Sequence, residues 1–168
     1  MKDRIKKLFQ EDVADRKKVN FSKDWPEIAK RDKVRAKTLR RILEKIRKEN
    51  RELDVKTLFY TGIIFHHQGT CRSLMRARFY AKQGVKKCER KNTKICKQIR
   101  WLYAGSTDRL LILKDKPQKY GTQYRYKKDS KNFELYKIDP KTTDKEREDL
   151  NVPNLNEAKK LAKKVGPF

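Results

Sequence analysis

Residues 54–69 read DVKTLFYTGIIFHHQG, a run in which a helix cap, an apolar stripe and a helix stop follow one another. Asp54 is of a type that accepts hydrogen bonds from the first N–H groups of a helix, and Gly69 is of a type that ends one. Apolar residues recur between them at helical spacing, among them Leu58, Phe59, Ile63 and Phe65. The run therefore predicts a largely buried helix around which the rest of the domain packs.

Helical patterns also flank this run on both sides. The spacing predicts helices over residues 2–18 and 26–48, a helix opened by Thr70 or Ser73, and a helix capped at Asn92-Thr93 that ends near Leu113. Residues 20–26 are predicted to connect the first two helices, with Trp25 anchored in the core. The second helix is expected to bury one stripe, Ile28, Val34, Leu39, Ile42, Leu43 and Ile46.

The pattern changes after Pro117. Residues 122–128 and 132–138 alternate and are rich in aromatic residues, which predicts a β-hairpin turning at 129–131. Tyr124 and Tyr126 fall on one strand face, which is expected to be buried; the alternative is that these rings stack on nucleic-acid bases. A short helix from Asp144 and a last helix around Leu161 follow.

The predicted fold is thus mainly α. It is an antiparallel bundle of five to seven helices with a C-terminal β-hairpin, in one domain over residues 1–168. Its parts are a helical bundle (2–115), a loop with the hairpin (116–140) and C-terminal helices (141–168).

The formal net charge of +25 on 168 residues is the main compositional signal. Such a charge attracts polyanions, so RNA or DNA is one expected partner; the alternative is a solvated lysine-rich surface. The sequence has no run of about 18 apolar residues, so we expect no membrane span. Residues 1–5 lack the apolar region of a secretory signal. Cys71, Cys88 and Cys96 are odd in number and form no CxxC pair, so we expect reduced thiols, a cytoplasmic location, no metal site and no cofactor.

Polar residues next to the apolar helical runs form the candidate site. His67, Asp108 and Arg109 are the predicted catalytic residues: an acid or base, an orienting carboxylate and a cation for an anionic group. The predicted substrate-binding residues are His66, Gln68, Asp12, Asp15, Arg16, Gln118, Tyr120, Thr122 and Gln123. The alternatives are structural: surface ion pairs, histidines hydrogen-bonded to carbonyl groups, and an internal Asp108–Arg109 pair.

Four motifs give these residues a shared context. They are Asp12-Val13-Ala14-Asp15-Arg16, Phe65-His66-His67-Gln68, Asp108-Arg109 and Pro117-Gln118-Lys119-Tyr120-Gly121-Thr122-Gln123. Together they resemble an uncharacterised bacterial family, a domain of unknown function with FQHG-like, DR and PQ-x-[YF]-GTQ motifs. The chain departs from that pattern at His66, where the family has Gln, and at Gln68, where it has Gly. The resemblance implies that the polar residues form one site, and it implies no particular reaction.

The expected function is that of a small enzyme acting on a phosphate-bearing or nucleotide-like substrate, with metal-independent phosphodiester cleavage as the candidate reaction. The sequence has no phosphate-binding GxxxxGK[ST] loop, no HExxH and no GxSxG motif, which excludes several common enzyme classes. Two alternatives stay open: a non-catalytic RNA- or DNA-binding protein, and a structural or interaction protein with an internal polar network.

Overall fold

The computed structural model describes residues 1–17, 21–89, 91–127 and 132–164. For residues 21, 22 and 164 it describes the backbone only. Within these residues the order of elements is α1 (Lys2–Asp15), α2 (Phe21–Lys48), α3 (Val55–Gln68), α4 (Cys71–Cys88), α5 (Lys94–Ile112), β1 (Tyr124–Lys127), β2 (Asn132–Leu135), α6 (Asp144–Asp149) and α7 (Leu155–Lys164). The prediction of a mainly helical fold with a C-terminal antiparallel hairpin is confirmed.

Helix α3 lies at the centre and packs against α1, α2, α4 and α5. Its predicted ends are confirmed: the Asp54 carboxylate accepts from the Thr57 N–H at 2.8 Å, and Gly69 follows the helix in the left-handed conformation with φ 72°. Gly62 permits a close approach to α5, because a Cβ there would lie 2.7 Å from Cδ2 of Leu102. This central helix carries both histidines, so its packing positions them.

Helix α2 differs from the prediction at its start. It begins at Phe21 and continues through Pro26, so the connector predicted over residues 20–26 is mostly helical, and its first residue lies outside the described ranges. Trp25 is 42% exposed, not anchored in the core, because the buried stripe of α2 begins one turn later at Ile28. The prediction that Val34 belongs to the buried stripe is also wrong, because this residue is 63% exposed.

The hairpin pairs Tyr124 with Leu135 and Tyr126 with Phe133, and α7 packs against β2. The predicted burial of the tyrosine face is wrong at Tyr126, which is 47% exposed; its ring packs on Phe133 at a centroid distance of 5.4 Å. The predicted turn at 129–131 lies outside the described residues. A single bridge between Gln118 and Ile138 joins the preceding loop to the hairpin.

The expectation of three reduced thiols is also corrected. Cys88 ends α4 and Cys96 lies in the first turn of α5, and the two form a disulfide with their Cα atoms 5.6 Å apart. The reason is the tight reversal between the two helices, which brings residues eight positions apart face to face. Cys71 is free and exposed. No described helix is long and apolar enough to cross a membrane.

Candidate active site

His67, in the last turn of α3, is held by a carboxylate from α1. Its Nδ1 lies 2.6 Å from Oδ2 of Asp12, a side chain that is fully buried. With the carboxylate as acceptor, Nδ1 carries the proton and donates it, which leaves the lone pair of the neutral imidazole on Nε2. The His67 side chain retains 26% exposure, so it is not sealed from solvent. An oriented, accessible imidazole is the arrangement that general acid–base chemistry requires.

Asp12 is itself fixed by an ion-pair network between α1 and α2. Three carboxylates and three guanidinium groups take part: Asp12, Asp15, Asp32, Arg16, Arg31 and Arg35. Arg16 bridges the helices, with Nη1 at 2.9 Å from Asp12 and Nη2 at 2.5 Å from Asp32. The charges within this set balance, so the network supports His67 without adding net charge.

Arg35 is the buried centre of that network. It lies 2.6 Å from Asp15 and 2.7 Å from Asp32, and its side chain is 6% exposed. Burial alone would lower the pKa of Arg35, but the hydrogen bonds that it donates to Asp32 and Asp15 raise the pKa above its ordinary value. Burial alone would likewise raise the pKa of Asp15, but the hydrogen bonds of Arg35 and Arg31 lower it. Both groups are therefore held in their charged forms.

His66 points into the protein toward α5. Its Nδ1 lies 3.2 Å from Oγ of Ser106, and that hydroxyl donates to the carbonyl of Leu102 at 2.7 Å. Because the Ser106 hydroxyl donates its proton to the Leu102 carbonyl, its oxygen accepts a hydrogen bond from Nδ1 of His66. Burial, together with the positive charge of Arg109, lowers the pKa of His66 well below 6.5. His66 is thus a neutral histidine at neutral pH and cannot serve there as a proton donor of imidazolium type.

The buried neutral state of His66 predicts a loss of stability in acid. Its folded pKa lies below the unfolded value, so the unfolded state binds more protons once the pH falls below about 6.5. This contribution is fully present above that pH, and the slope reaches at most about 1.4 kcal/mol per pH unit. Urea unfolding at pH 7.5 and 5.5 should show the wild-type protein losing about 1 kcal/mol more than His66→Gln. Equal losses in the two proteins would contradict the assignment of this pH dependence to His66.

Arg109 lies at the C-terminal end of α3, the end that carries the two histidines. Its Nη1 donates to the carbonyl of His66 at 3.3 Å, and Nη2 lies 3.8 Å from the position of a Cβ built on Gly69. A cation at the C-terminal end of α3 is favoured by the helix dipole. Burial, and to a smaller extent the charge of Arg16, lowers the pKa of Arg109.

The Arg109 guanidinium has no carboxylate partner among the described residues. Each of its nitrogen atoms is either hydrogen-bonded or partly exposed to solvent. Five N–H donors are available and one is used. The others are free to bind an anion, so Arg109 is the uncompensated cation of the site.

Asp108 has a different role from the predicted one. Its carboxylate is fully buried and accepts from the N–H groups of Lys119, Tyr120 and Thr122 at 2.7, 2.9 and 3.0 Å, and from the Thr122 hydroxyl at 2.8 Å. The hydrogen bonds of Asp108 thus go to the loop before the hairpin and not to Arg109 or a histidine. Asp108 fixes the loop, while Asp12 performs the orienting role.

Two of the predicted substrate-binding residues make contacts within the loop and with its neighbours. Gln118 is fully buried; its amide donates to the carbonyls of Gln123 and Tyr136, both at 3.0 Å, and accepts from the Gln123 N–H at 2.9 Å. Tyr120 is 7% exposed and packs with Ala104 and Val152. Neither side chain has the access that a substrate contact needs.

The end of the same loop comes close to His66. A Cβ built on Gly105 would lie 3.8 Å from Cε1 of His66 and 3.9 Å from both Nε2 of Gln123 and Oγ1 of Thr122. The absence of a side chain at Gly105 lets the loop approach α3 here. Thr122 and Gln123 therefore lie on the same side of Gly105 as His66, and their role in substrate binding stays a prediction.

Gln68 stands apart from this cluster. It lines a cavity of about 310 Å³ at the start of α4, together with Arg40 and Arg72. Asp15 and Arg16, predicted as substrate contacts, are used in the ion-pair network. Residues that the sequence did not single out are Asp32, Arg35 and Ser106. The helical period gives a signal for the first two, because positions 28, 32, 35 and 39 share one face of α2.

The described residues contain no group of three or more His, Cys, Asp or Glu side chains that could hold a metal ion. Comparison of the chain with family models, curated proteins and solved structures finds no match in any of the three. The family resemblance of the motifs stays a prediction, and function has to be argued from the site itself.

Proposed function

We propose that the protein is a small enzyme acting on a phosphate-bearing or nucleotide-like substrate, with His67 as the general base and Arg109 as the holder of the anion. The observation that carries the proposal is the pairing of an oriented imidazole, 2.6 Å from the buried Asp12, with a guanidinium that has no carboxylate partner among the described residues. Structural ion pairs alone would not leave a half-buried cation uncompensated.

The candidate reaction is metal-independent phosphodiester cleavage. Nε2 of His67 takes the proton of an attacking hydroxyl, a new P–O bond forms, and the bond to the leaving oxygen breaks. Asp12 stabilises the imidazolium that results, and Arg109 compensates the charge on the phosphoryl oxygens. The leaving oxygen takes its proton from water, because His66 is neutral and has none to give. We propose the cytoplasm as the compartment, in which a disulfide such as Cys88–Cys96 is an uncommon feature.

A cleavage assay in the presence of EDTA tests this function. A 5′-labelled single-stranded RNA and the corresponding DNA are incubated with wild-type protein, Arg109→Gln and Lys114→Gln. The last variant removes the same charge five residues away, at an exposed position. We expect Arg109→Gln to lower kcat/KM at least about 100-fold, as loss of a charge-stabilising donor does, and Lys114→Gln to lower it less than about threefold. Equal rates in all three proteins would refute the assignment of Arg109.

Binding without catalysis is the second candidate. The net charge of +25 favours it, and it predicts affinity for RNA or DNA that falls steeply with salt while no strand is cut. The third alternative, an internal polar network only, agrees with the balanced ion pairs of α1 and α2 but offers no role for Arg109. It predicts neither binding nor cleavage in the same assay.

A further inference from the structure

A second feature, separate from the His67 cluster, lies between α2 and α4. Both helices pack against α3, and the space between them is a groove of about 650 Å³. Its lining includes Phe65 from α3 and Phe79 and Tyr80 from α4. Phe79 is 58% exposed, and its ring stands edge-on to that of Tyr80 at a centroid distance of 5.2 Å. A groove of this size, with an accessible aromatic ring, can hold a planar group.

The same groove has an excess of positive charge. Among the described residues, Arg40, Arg47 and Arg76 line it without an ion-pair partner, and Glu52 is neutralised by Lys87 at 2.6 Å. Glu44 is the remaining carboxylate in the lining. Guanidinium groups that lack carboxylates are free for an anionic ligand.

The groove and the cavity at the start of α4 share part of their lining. Arg40 and Arg76 line both spaces, and the cavity adds Arg72. Three guanidinium groups thus surround about 310 Å³ next to an aromatic chamber. The alternation of an aromatic surface with clustered arginines matches the alternation of base and phosphate along a single strand. A duplex keeps its bases stacked inside and cannot present them to this groove.

We propose that this groove binds a short stretch of single-stranded nucleic acid, with a base stacked on Phe79 and phosphates held by Arg40, Arg72 and Arg76. Gln68 also lines the phosphate cavity, apart from the His67 cluster. The binding inference depends on the residues of the groove alone. It therefore stands or fails separately from cleavage.

Fluorescence anisotropy with labelled eight-nucleotide oligo-U and oligo-dT tests the proposal, in a His67→Ala background so that no strand is cut. Phe79→Ala is compared with Met75→Ala, an α4 residue that is also 58% exposed but does not line the groove. We expect Phe79→Ala to weaken binding at least about fivefold, the effect of losing one stacked base, and Met75→Ala to change it less than twofold.

A second comparison tests the charges of the groove. The double variant Arg40→Gln with Arg76→Gln is compared with the control Arg41→Gln; Arg41 neighbours Arg40 on α2 and is exposed. We expect the double variant to reduce the magnitude of the slope of log K against log salt by about 1.4, because two phosphate contacts are lost from a single strand. Arg41→Gln should change the slope by less than the effect of one contact. Three results would overturn the proposal: equal losses in groove and control variants, equal affinity for a duplex, or displacement of the strand by an acidic peptide at equal charge concentration.

Discussion

Replacement of Asp108 by alanine is expected to lower the free energy of unfolding by about 3–5 kcal/mol, the largest stability effect of a single substitution in this account. The carboxylate accepts four hydrogen bonds while fully buried, three of them from backbone N–H groups of the loop before the hairpin. Removing it leaves those donors without partners in a site that water does not reach in the folded state. A cavity in the same place adds to the loss.

Urea unfolding measures the effect, and hydrogen exchange at the Lys119, Tyr120 and Thr122 amides locates it. We expect exchange at these three amides to accelerate more than in α3. Asp108→Asn should be intermediate, because it keeps one oxygen acceptor. Glu11→Ala, at an exposed position of α1, should stay within about 0.5 kcal/mol of wild type. If Asp108→Ala were as stable as Glu11→Ala, Asp108 would not be the residue that fixes the loop.

Replacement of Asp12 by asparagine is expected to lower kcat/KM by about 10²–10⁴ in the proposed reaction. The substitution keeps the size of the side chain but removes the charge that holds Nδ1 of His67 at 2.6 Å. The imidazole then loses both its fixed tautomer and the carboxylate that stabilises its protonated form. Because Asp12 also pairs with Arg16, the variant is expected to be less stable, so rates have to be referred to the folded fraction.

The matched control is Glu11→Gln, which removes one carboxylate charge from the adjacent, exposed position of α1. We expect it to retain kcat/KM within about twofold, since its charge is screened by solvent. A positive control is His67→Gln, which should lose as much activity as Asp12→Asn, with no further loss in the double variant if the two act as one unit. Full activity of Asp12→Asn would remove the dyad from the mechanism.

The ends of α3 could be predicted from the sequence because the signals are local. Asp54 and Gly69 adjoin the helix that they cap and end, and the apolar spacing between them has one interpretation. The paired strands were predictable for the same reason, since the two alternating segments lie within one stretch of sequence. Elements of this kind depend on neighbouring residues, and a single sequence contains that information.

The network behind His67 could not be predicted in the same way. Asp12 and His67 are 55 positions apart, and their contact depends on how α1 packs against α3. Asp32 and Arg35 lie on the buried face of α2, where Val34 was expected. They can be buried because each has a partner of opposite charge from α1 or from α2 itself. The histidine was identified from the sequence, but its carboxylate partner required the fold.

Asp108 shows a second limit. The sequence placed a carboxylate and a cation side by side, and neighbours in sequence suggested a pair. On a helix, adjacent side chains point about 100° apart, so Asp108 faces the loop while Arg109 faces the end of α3. The sequence could therefore single out Asp108 and Arg109, but it could not show which partner each side chain contacts.

The central claim is that Arg109 and His67 act on the same bound anion. A crystal structure of the protein with tungstate, a heavy analogue of phosphate, tests it most directly. We predict an anomalous peak within hydrogen-bond distance of the Arg109 guanidinium, on the side where Nε2 of His67 is accessible. An Arg109 guanidinium bound to a protein carboxylate, with no peak beside it at saturating tungstate, would contradict the claim.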